Sequence, residues 1–312
     1  MKTYAYGVDI GGTTVKIGLF KTDGELLEKW EIPTRTEEDG RFILPDIAEA
    51  VKAKTEERKI SPEDVEGIGV GVPGPVDDSG TVLKCVNLGW GIFNVKDSLA
   101  LLTGWRVAAG NDANVAAMGE LWQGGGKGAA NMVMVTLGTG VGGGVIVDGK
   151  VISGSHGAAG EIGHLTVSRE ETEICGCGKK GCLEQYASAN GVARLAKRYL
   201  SGNDQETVLR RETAVGARAV FDAAKAGDAA ALAIVEQFGE VLGRALASVA
   251  CVTDPEVFVI GGGVSKAGEI VTDVIRKYYT LYAFHASANT EFRIAELGND
   301  AGIYGGVSML LS

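Results

Sequence analysis

The chain has 312 residues, enough for two domains or one large one. With 45% hydrophobic and 22% charged residues it can build cores and is not disordered, and a net charge of −10 disfavours nucleic acid and anionic membrane as partners. Glycine is the outlier at 47 residues, roughly double the usual ~7% share, with no collagen-like period.

The first elements read as strands separated by turns. Tyr4–Ile10 is a short apolar run, Gly11-Gly12-Thr13-Thr14 turns, Val15–Phe20 alternates, and Glu25–Ile32 predicts a third strand. Leu44–Arg58 has helical periodicity, and Val65–Val72 reads as a buried strand ending in Pro73-Gly74-Pro75. A helix is expected over Asp112–Gln123, and the glycines of 124–128 read as a linker or hinge. The plan then starts again. Asn131–Leu137 predicts a strand, Gly138-Thr139-Gly140 a turn, Gly142–Val147 a strand and Lys150–Ser153 a third. Helices are expected over Leu183–Leu200, Thr213–Ala226, Ala229–Val252 and Lys266–Tyr278, with the strand Glu256–Ile260 ending in Gly261-Gly262-Gly263. The run Ala301–Leu311 reads as a final helix that packs back on the first half. A hairpin-rich unit occurring twice predicts a duplicated α/β fold around a cleft.

The amino terminus reaches Asp9 too soon for a secretory leader, and the longest uncharged apolar stretch, Met132–Val147, is short of the ~20 residues that span a bilayer. Five cysteines, an odd number in a long chain, argue against a disulfide framework. A cytoplasmic, reduced protein with no membrane partner is expected.

Two stretches, Gly138-x-Gly140-x-x-Gly143 and Gly69-x-Gly71-x-x-Gly74, fit the dinucleotide fingerprint, but neither leads into a helix, so that reading is rejected. A glycine turn between antiparallel strands instead presents backbone N–H groups with no Cβ in the way, a cradle for phosphate. Asp9 precedes the first such turn and could hold Mg²⁺ directly or through water. One turn alone would be an ordinary hairpin. Two, with a triglycine at a third strand end, favour nucleotide binding.

The sharpest local signal is His164-x10-Cys175-x-Cys177-x4-Cys182. Three thiolates and an imidazole make a Cys₃His zinc set, and four protein ligands leave no open position, so a structural Zn²⁺ is expected. Cys85 and Cys251 lie outside the cluster and read as small core residues.

Taken together, Asp9–Lys16 (DIGGTTVK), 72–75 (VPGP), 111–114 (NDAN), 137–144 (LGTGVGGG), 160–164 (GEIGH), 175–184 (CGCGKKGCLE) and 260–263 (IGGG) resemble the ROK sugar kinases, most of all the bacterial ATP-dependent glucokinases. The resemblance covers essentially the whole chain. It implies the actin-like ATPase fold, two RNase H-like α/β halves. The smaller would take residues 1–120 and 301–312, and the larger, with the zinc loop, 121–300. It implies Asp112 as general base toward a hexose 6-hydroxyl, and Gly74, Asn111, Asp112, Glu161, His164 and Glu184 around the sugar. ATP would lie on Gly11, Gly12, Thr13, Thr14, Gly138, Thr139, Gly140 and Gly261, Gly262, Gly263, with Asp9 acting on Mg²⁺. His164 would share its ring between zinc and sugar, so that chelation abolishes activity through lost sugar binding. Members of the family are commonly homodimers or homotetramers.

The alternatives are a kinase for another hexose or N-acetylhexosamine (fructose, mannose, allose, N-acetylglucosamine, N-acetylmannosamine), polyphosphate as donor, or a sugar sensor without catalysis. Repressors of the family carry a helix-turn-helix domain ahead of the first phosphate motif. Here eight residues precede Asp9, and that domain is not expected. The segment 86–90 (VNLGW) and the cysteine cluster look most like the glucokinases.

Overall fold

The computed structural model describes residues 2–83 and 85–312. The chain gathers into two compact units. The first holds the residues up to Gly128, with Gly149–Gly160 and Leu297–Ser312, and the second holds Ala129–Asp148 and Glu161–Glu296. Residues 121–128 and 149–160 thus join the first unit rather than the second. The physical reasons are local. Gly157, at a φ of 65°, lies so close to Pro75 that a Cβ would come 3.3 Å from its ring.

The glycines of 124–128 are also not the loose hinge that their composition suggests. Gly124, Gly125 and Gly126 are buried. The buried Glu120 accepts from Gly125 N (2.8 Å) and Leu297 N (2.9 Å) through its carboxylate, and its carbonyl accepts from Gly126 N (2.9 Å). Glycine is required here because a Cβ on Gly124 would sit 2.0 Å from the Glu120 carboxylate. The glycines serve close packing, not looseness.

In the first unit, Tyr4–Ile10 pairs antiparallel with Thr14–Lys21, which pairs with Leu26–Pro33. On its other edge Tyr4–Ile10 takes Val65–Val72 in parallel, followed by Val107–Asn111. The helix Ile43–Glu57 buries Ile43, Ile47 and Val51 in a core with Val8, Ile17, Ile68 and Val70. The helix Val95–Thr103 and the strand Val107–Asn111 have no counterpart among the sequence expectations.

The helices Asp112–Gln123 and Ala301–Leu311 also belong to this unit. The second is apolar and nearly all buried, and it lies on its neighbours at backbone distance. A Cβ on Gly69 would fall 1.7 Å from Gly306 O, and one on Gly305 would fall 1.6 Å from Val115 O. Backbone cannot give way as a side chain can, so these positions exclude any larger residue.

In the second unit Met132–Leu137 pairs antiparallel with Val141–Val147 and parallel with Val257–Gly261, which carries the short strand Glu291–Ile294. This repeats the order of the first sheet from its second strand onward. The helix Ala229–Thr253 starts at an Asp228 cap, whose Oδ1 accepts from Ala231 N (3.0 Å), and it buries Ile234, Phe238, Leu242 and Leu246. The single helix expected over Leu183–Leu200 is two, Glu184–Ala187 and Ala189–Ser201. Ser188 breaks it. Its backbone is extended, and its Oγ accepts from Gly191 N (2.9 Å) as the cap of the second helix. The helices expected over Thr213–Ala226 and Lys266–Tyr278 start later, at Ala217 and Glu269, each after a glycine. Among the described residues no helix is long and apolar enough to cross a membrane.

One ionic cluster is built into this unit. The Glu171 side chain is fully buried and accepts from Arg194 Nη2 (3.0 Å), Arg198 Nη2 (2.9 Å), Tyr186 Oη (2.8 Å) and the N–H groups of Thr172 and Glu173. Burial opposes its ionisation, but these donors outweigh burial and hold the carboxyl down at about 2.

Two outcomes are expected. Gly305→Ala should cost more than about 3 kcal/mol in urea unfolding, because backbone blocks the new methyl group. Gly104→Ala, at a positive φ of 79° in open space, should cost about 1–2 kcal/mol. Equal costs would contradict the close approach. Glu171→Gln should lower stability at pH 7 by about 2–3 kcal/mol, discounted because Arg198 is 46% exposed. Since its carboxyl is depressed, Glu171 stabilises fully above about pH 4.5 and loses this as pH falls toward about 2. The gap between wild type and variant should therefore shrink by about half by pH 3.

Candidate active site and metal centre

The first unit places its site residues at strand ends. Asp9 lies near the end of Tyr4–Ile10, and the turn that follows is pinned from outside. Gly11 N donates to Thr14 O (3.0 Å), Thr34 N to Thr13 O (2.9 Å), and Thr34 Oγ1 to Gly11 O (2.7 Å). Thr34 is a support that the motif reading missed, since nothing in 9–16 points to it. The helix Ala301–Leu311 presses on Asp9, where a Cβ on Gly302 would come 2.7 Å from the carboxyl carbon. Burial raises the Asp9 pKa, Lys16 across the strand pair works against this, and Asp112 adds to it. Lys16 also donates from Nζ to Asn299 O (3.0 Å). A half-buried carboxylate with an acidic neighbour, beside a glycine turn, suits a hydrated Mg²⁺ ion.

Asn111 and Asp112 open the helix Asp112–Gln123. The cap is Asn111, whose Oδ1 accepts from Ala113 N (3.0 Å) and Asn114 N (3.2 Å). Its Nδ2 donates to Gly74 O (3.0 Å) and to Asp112 Oδ1 (3.0 Å). One amide therefore ties together Gly74, at a positive φ of 99°, the helix start and the Asp112 carboxylate. Asp112 is the first helical residue rather than the cap, and its Oδ1 also accepts from Ala113 N (2.8 Å).

In the second unit the turn Gly138-Thr139-Gly140 is closed by Gly138 N to Gly140 O (3.0 Å). Ala189 N donates to Gly138 O (2.8 Å) and Asn190 Nδ2 to Thr139 O (3.0 Å), so the carbonyl side of the turn is held by the start of the helix Ala189–Ser201. The strand register sets Gly261 against Thr136. Gly262, at a positive φ of 85°, touches the Leu137 backbone, where a Cβ would come 2.6 Å from it. The triglycine and the turn Gly138–Gly140 are neighbours, and Gly263 faces open space.

His164, Cys175, Cys177 and Cys182 converge, with their ligand atoms all within 4.8 Å of one another. Cys175 Sγ is 3.8 Å from His164 Nδ1, and Cys177 Sγ is 3.5 Å from Cys182 Sγ. Ligands about 2.3 Å from a tetrahedral zinc stand roughly 3.8 Å apart, so the donor set and its spacing fit that ion. Gly178 and Gly181 have positive φ, and a Cβ on Gly181 would strike Ser168 O at 1.8 Å. Burial and the Glu184 carboxylate push the Cys175 thiol up to about 12, while the Lys179 N–H lowers Cys177. A divalent cation reverses the first of these by favouring the thiolate.

The same cluster organises the carboxylates. Glu184 Oε1 is 2.8 Å from Cys175 Sγ and 3.7 Å from His164 Nδ1, and Glu161 Oε2 is 3.9 Å from His164 Nε2. With Nδ1 turned to the sulfurs, Nε2 is left on the Glu161 side. Glu184 Oε2 occupies the space beside Gly140, where a Cβ would be only 2.7 Å away. Of the cysteines outside the cluster, Cys85 is buried as expected, but Cys251 is exposed, because it lies on the outer face of the helix Ala229–Thr253.

The ROK family model matches residues 5–312. A glucokinase of Halalkalibacterium halodurans is 45% identical over 96% of this chain and 92% of its own. The ROK family glucokinase from Streptomyces griseus, solved with glucose and AMPPNP, is 34% identical with a TM-score of 0.74, covering 98% of each chain. The ROK hexokinase from Thermus thermophilus is 32% identical with a TM-score of 0.77, over 98% of this chain and 97% of its own. The actin-like ATPase fold of these kinases accounts for the repeated sheet order, and the chain belongs to the ROK family.

Proposed function

We propose that the protein is an ATP-dependent glucokinase that phosphorylates the 6-hydroxyl of glucose. The observation that carries this reading is the Asn111–Asp112 pair. A carboxylate is held at the first turn of a helix, its Oδ1 already fixed by two donors, on a chain 45% identical to a glucokinase. The Streptomyces griseus structure, with glucose and AMPPNP bound, supports both substrates.

The chemistry follows from that placement. Asp112 accepts the proton of the 6-hydroxyl, and the freed oxygen attacks the γ-phosphorus. The bond from that phosphorus to the β–γ bridging oxygen breaks, and ADP leaves with the electron pair. Phosphoryl transfer asks mainly for positioning and charge neutralisation, which suits N–H-lined turns at Gly11–Thr14 and Gly138–Gly140, with Gly261–Gly263 on the adenosine side. Asp9 would hold Mg²⁺, which neutralises phosphate charge when bound. Gly74, Asn111, Glu161, His164 and Glu184 would bind the sugar hydroxyls, each of which both donates and accepts. A structural zinc on His164, Cys175, Cys177 and Cys182 would lock His164 and Glu184 in place. Reduced thiols at that centre fit a cytoplasmic enzyme. Assembly as a homodimer or homotetramer is part of the same reading, and light scattering measures it.

The test is ADP release from Mg-ATP against a panel of hexoses and N-acetylhexosamines. Glucose should be the best substrate. Asp112→Asn should lower kcat by about 10²–10⁴ while leaving the glucose KM within a few-fold. Turnover confined to another sugar keeps the mechanism and changes the substrate. Tight sugar binding with no turnover of any sugar would sink the kinase reading.

A further inference from the structure

The metal loop is fastened by more than its four ligands. Gln185, the residue after Glu184, spans it. Its Oε1 accepts from the backbone N–H of Gly181 (2.9 Å) and of Cys182 (3.1 Å), and its Nε2 donates to the carbonyl of Glu173 (3.0 Å). One side chain therefore joins the limb that enters the loop, two residues before Cys175, to the limb that leaves it at Cys182. The base of this strut is fixed as well. Gln185 N donates to Cys182 O (3.0 Å), and Gln185 O accepts from Arg194 Nη1 (3.0 Å), part of the ion cluster around Glu171. Only an amide meets these demands. Two donors face its oxygen and an acceptor faces its nitrogen, so a carboxylate loses the second contact and an amine loses the first.

We propose that Gln185 is a positioning residue that holds the metal loop closed, raising its affinity for zinc and fixing Glu184 for the sugar. The sugar half of this proposal rests on the kinase reading above, whereas the metal half does not. Closing the two limbs beforehand removes chain freedom that the incoming ion would otherwise have to freeze. Because Gln185 adjoins Glu184 in the short helix Glu184–Ala187, a loosened side chain here disturbs the carboxylate that faces Cys175 and Gly140. The phosphate turn is held separately, by Ala189 and Asn190, and stays in place.

The test compares zinc-loaded wild type with Gln185→Met, which keeps the shape but neither polar contact, and Gln185→Glu, which keeps the acceptor alone. Two readouts are taken, the rate of zinc transfer to a colorimetric chelator and the separate KM values for glucose and ATP. Gln185→Met should release zinc about tenfold faster and raise the glucose KM about tenfold. The ATP KM should stay within about twofold, and excess zinc should restore the glucose KM. Gln185→Glu should fall between the two proteins. Unchanged zinc release and glucose KM in both variants overturns the proposal. So does a joint rise of both KM values that zinc does not restore, because that marks general damage to the fold. Faster zinc release in a protein that phosphorylates no sugar overturns the kinase reading and supports the role of Gln185 at the metal loop.

Discussion

Glu184 stands where the Cys₃His cluster and the turn Gly138–Gly140 come together. One of its oxygens is 2.8 Å from Cys175 Sγ, and the other fills the space that Gly140 leaves by having no side chain. Burial first, and then the Glu184 carboxylate, push the Cys175 thiol up to about 12. A zinc ion on these ligands would favour the thiolate without consuming the carboxylate as a ligand, since Cys₃His makes up a tetrahedral set. A zinc ion there would be a fixed point for His164 and Glu184, whereas the turn at Gly138–Gly140 has its own support in the contacts of Ala189 and Asn190.

The first unit solves its own positioning problem with glycine and an apolar helix. Absent side chains at Gly69, Gly305 and Gly306 let Ala301–Leu311 settle onto the sheet and onto Asp112–Gln123 at backbone distance. That approach carries Gly302 onto Asp9 and partly buries the carboxylate, raising its pKa in a place where a cation would be welcome. The high glycine content thus follows from several separate needs: turns lined by N–H groups, backbone-to-backbone packing, and room for the carboxylates of Asp9, Glu120 and Glu184.

Much of this was legible in the sequence because the signals were local. Val65–Val72 announces itself by an apolar run that ends at Pro73-Gly74, and the Cys₃His spacing brings its four ligands together in space. The strands that were missed lack such signals. Val107–Asn111 has no alternation and little bulk, and Glu291–Ile294 is four residues long with only Phe292 buried, so both are defined by the neighbour they pair with. Ser188 breaks an otherwise continuous helical pattern through a capping hydrogen bond that periodicity does not report. The glycines of 124–128 misled for the opposite reason. Their composition is that of a linker, but Glu120, buried and far from any recognised motif, fixes them. Thr34 and Gln185 were invisible as well, because each acts on a motif from outside it.

A zinc ion held by His164 and the three cysteines would set the sugar site and not the nucleotide site. This is tested most directly by calorimetric titration of glucose, and separately of a non-hydrolysable ATP analogue, into the zinc-loaded protein and into the same protein stripped of metal under reducing conditions. Stripping should weaken glucose binding by at least about tenfold and leave the analogue's affinity nearly unchanged, and returning zinc should reverse the loss. Equal glucose affinity in the two forms would contradict it.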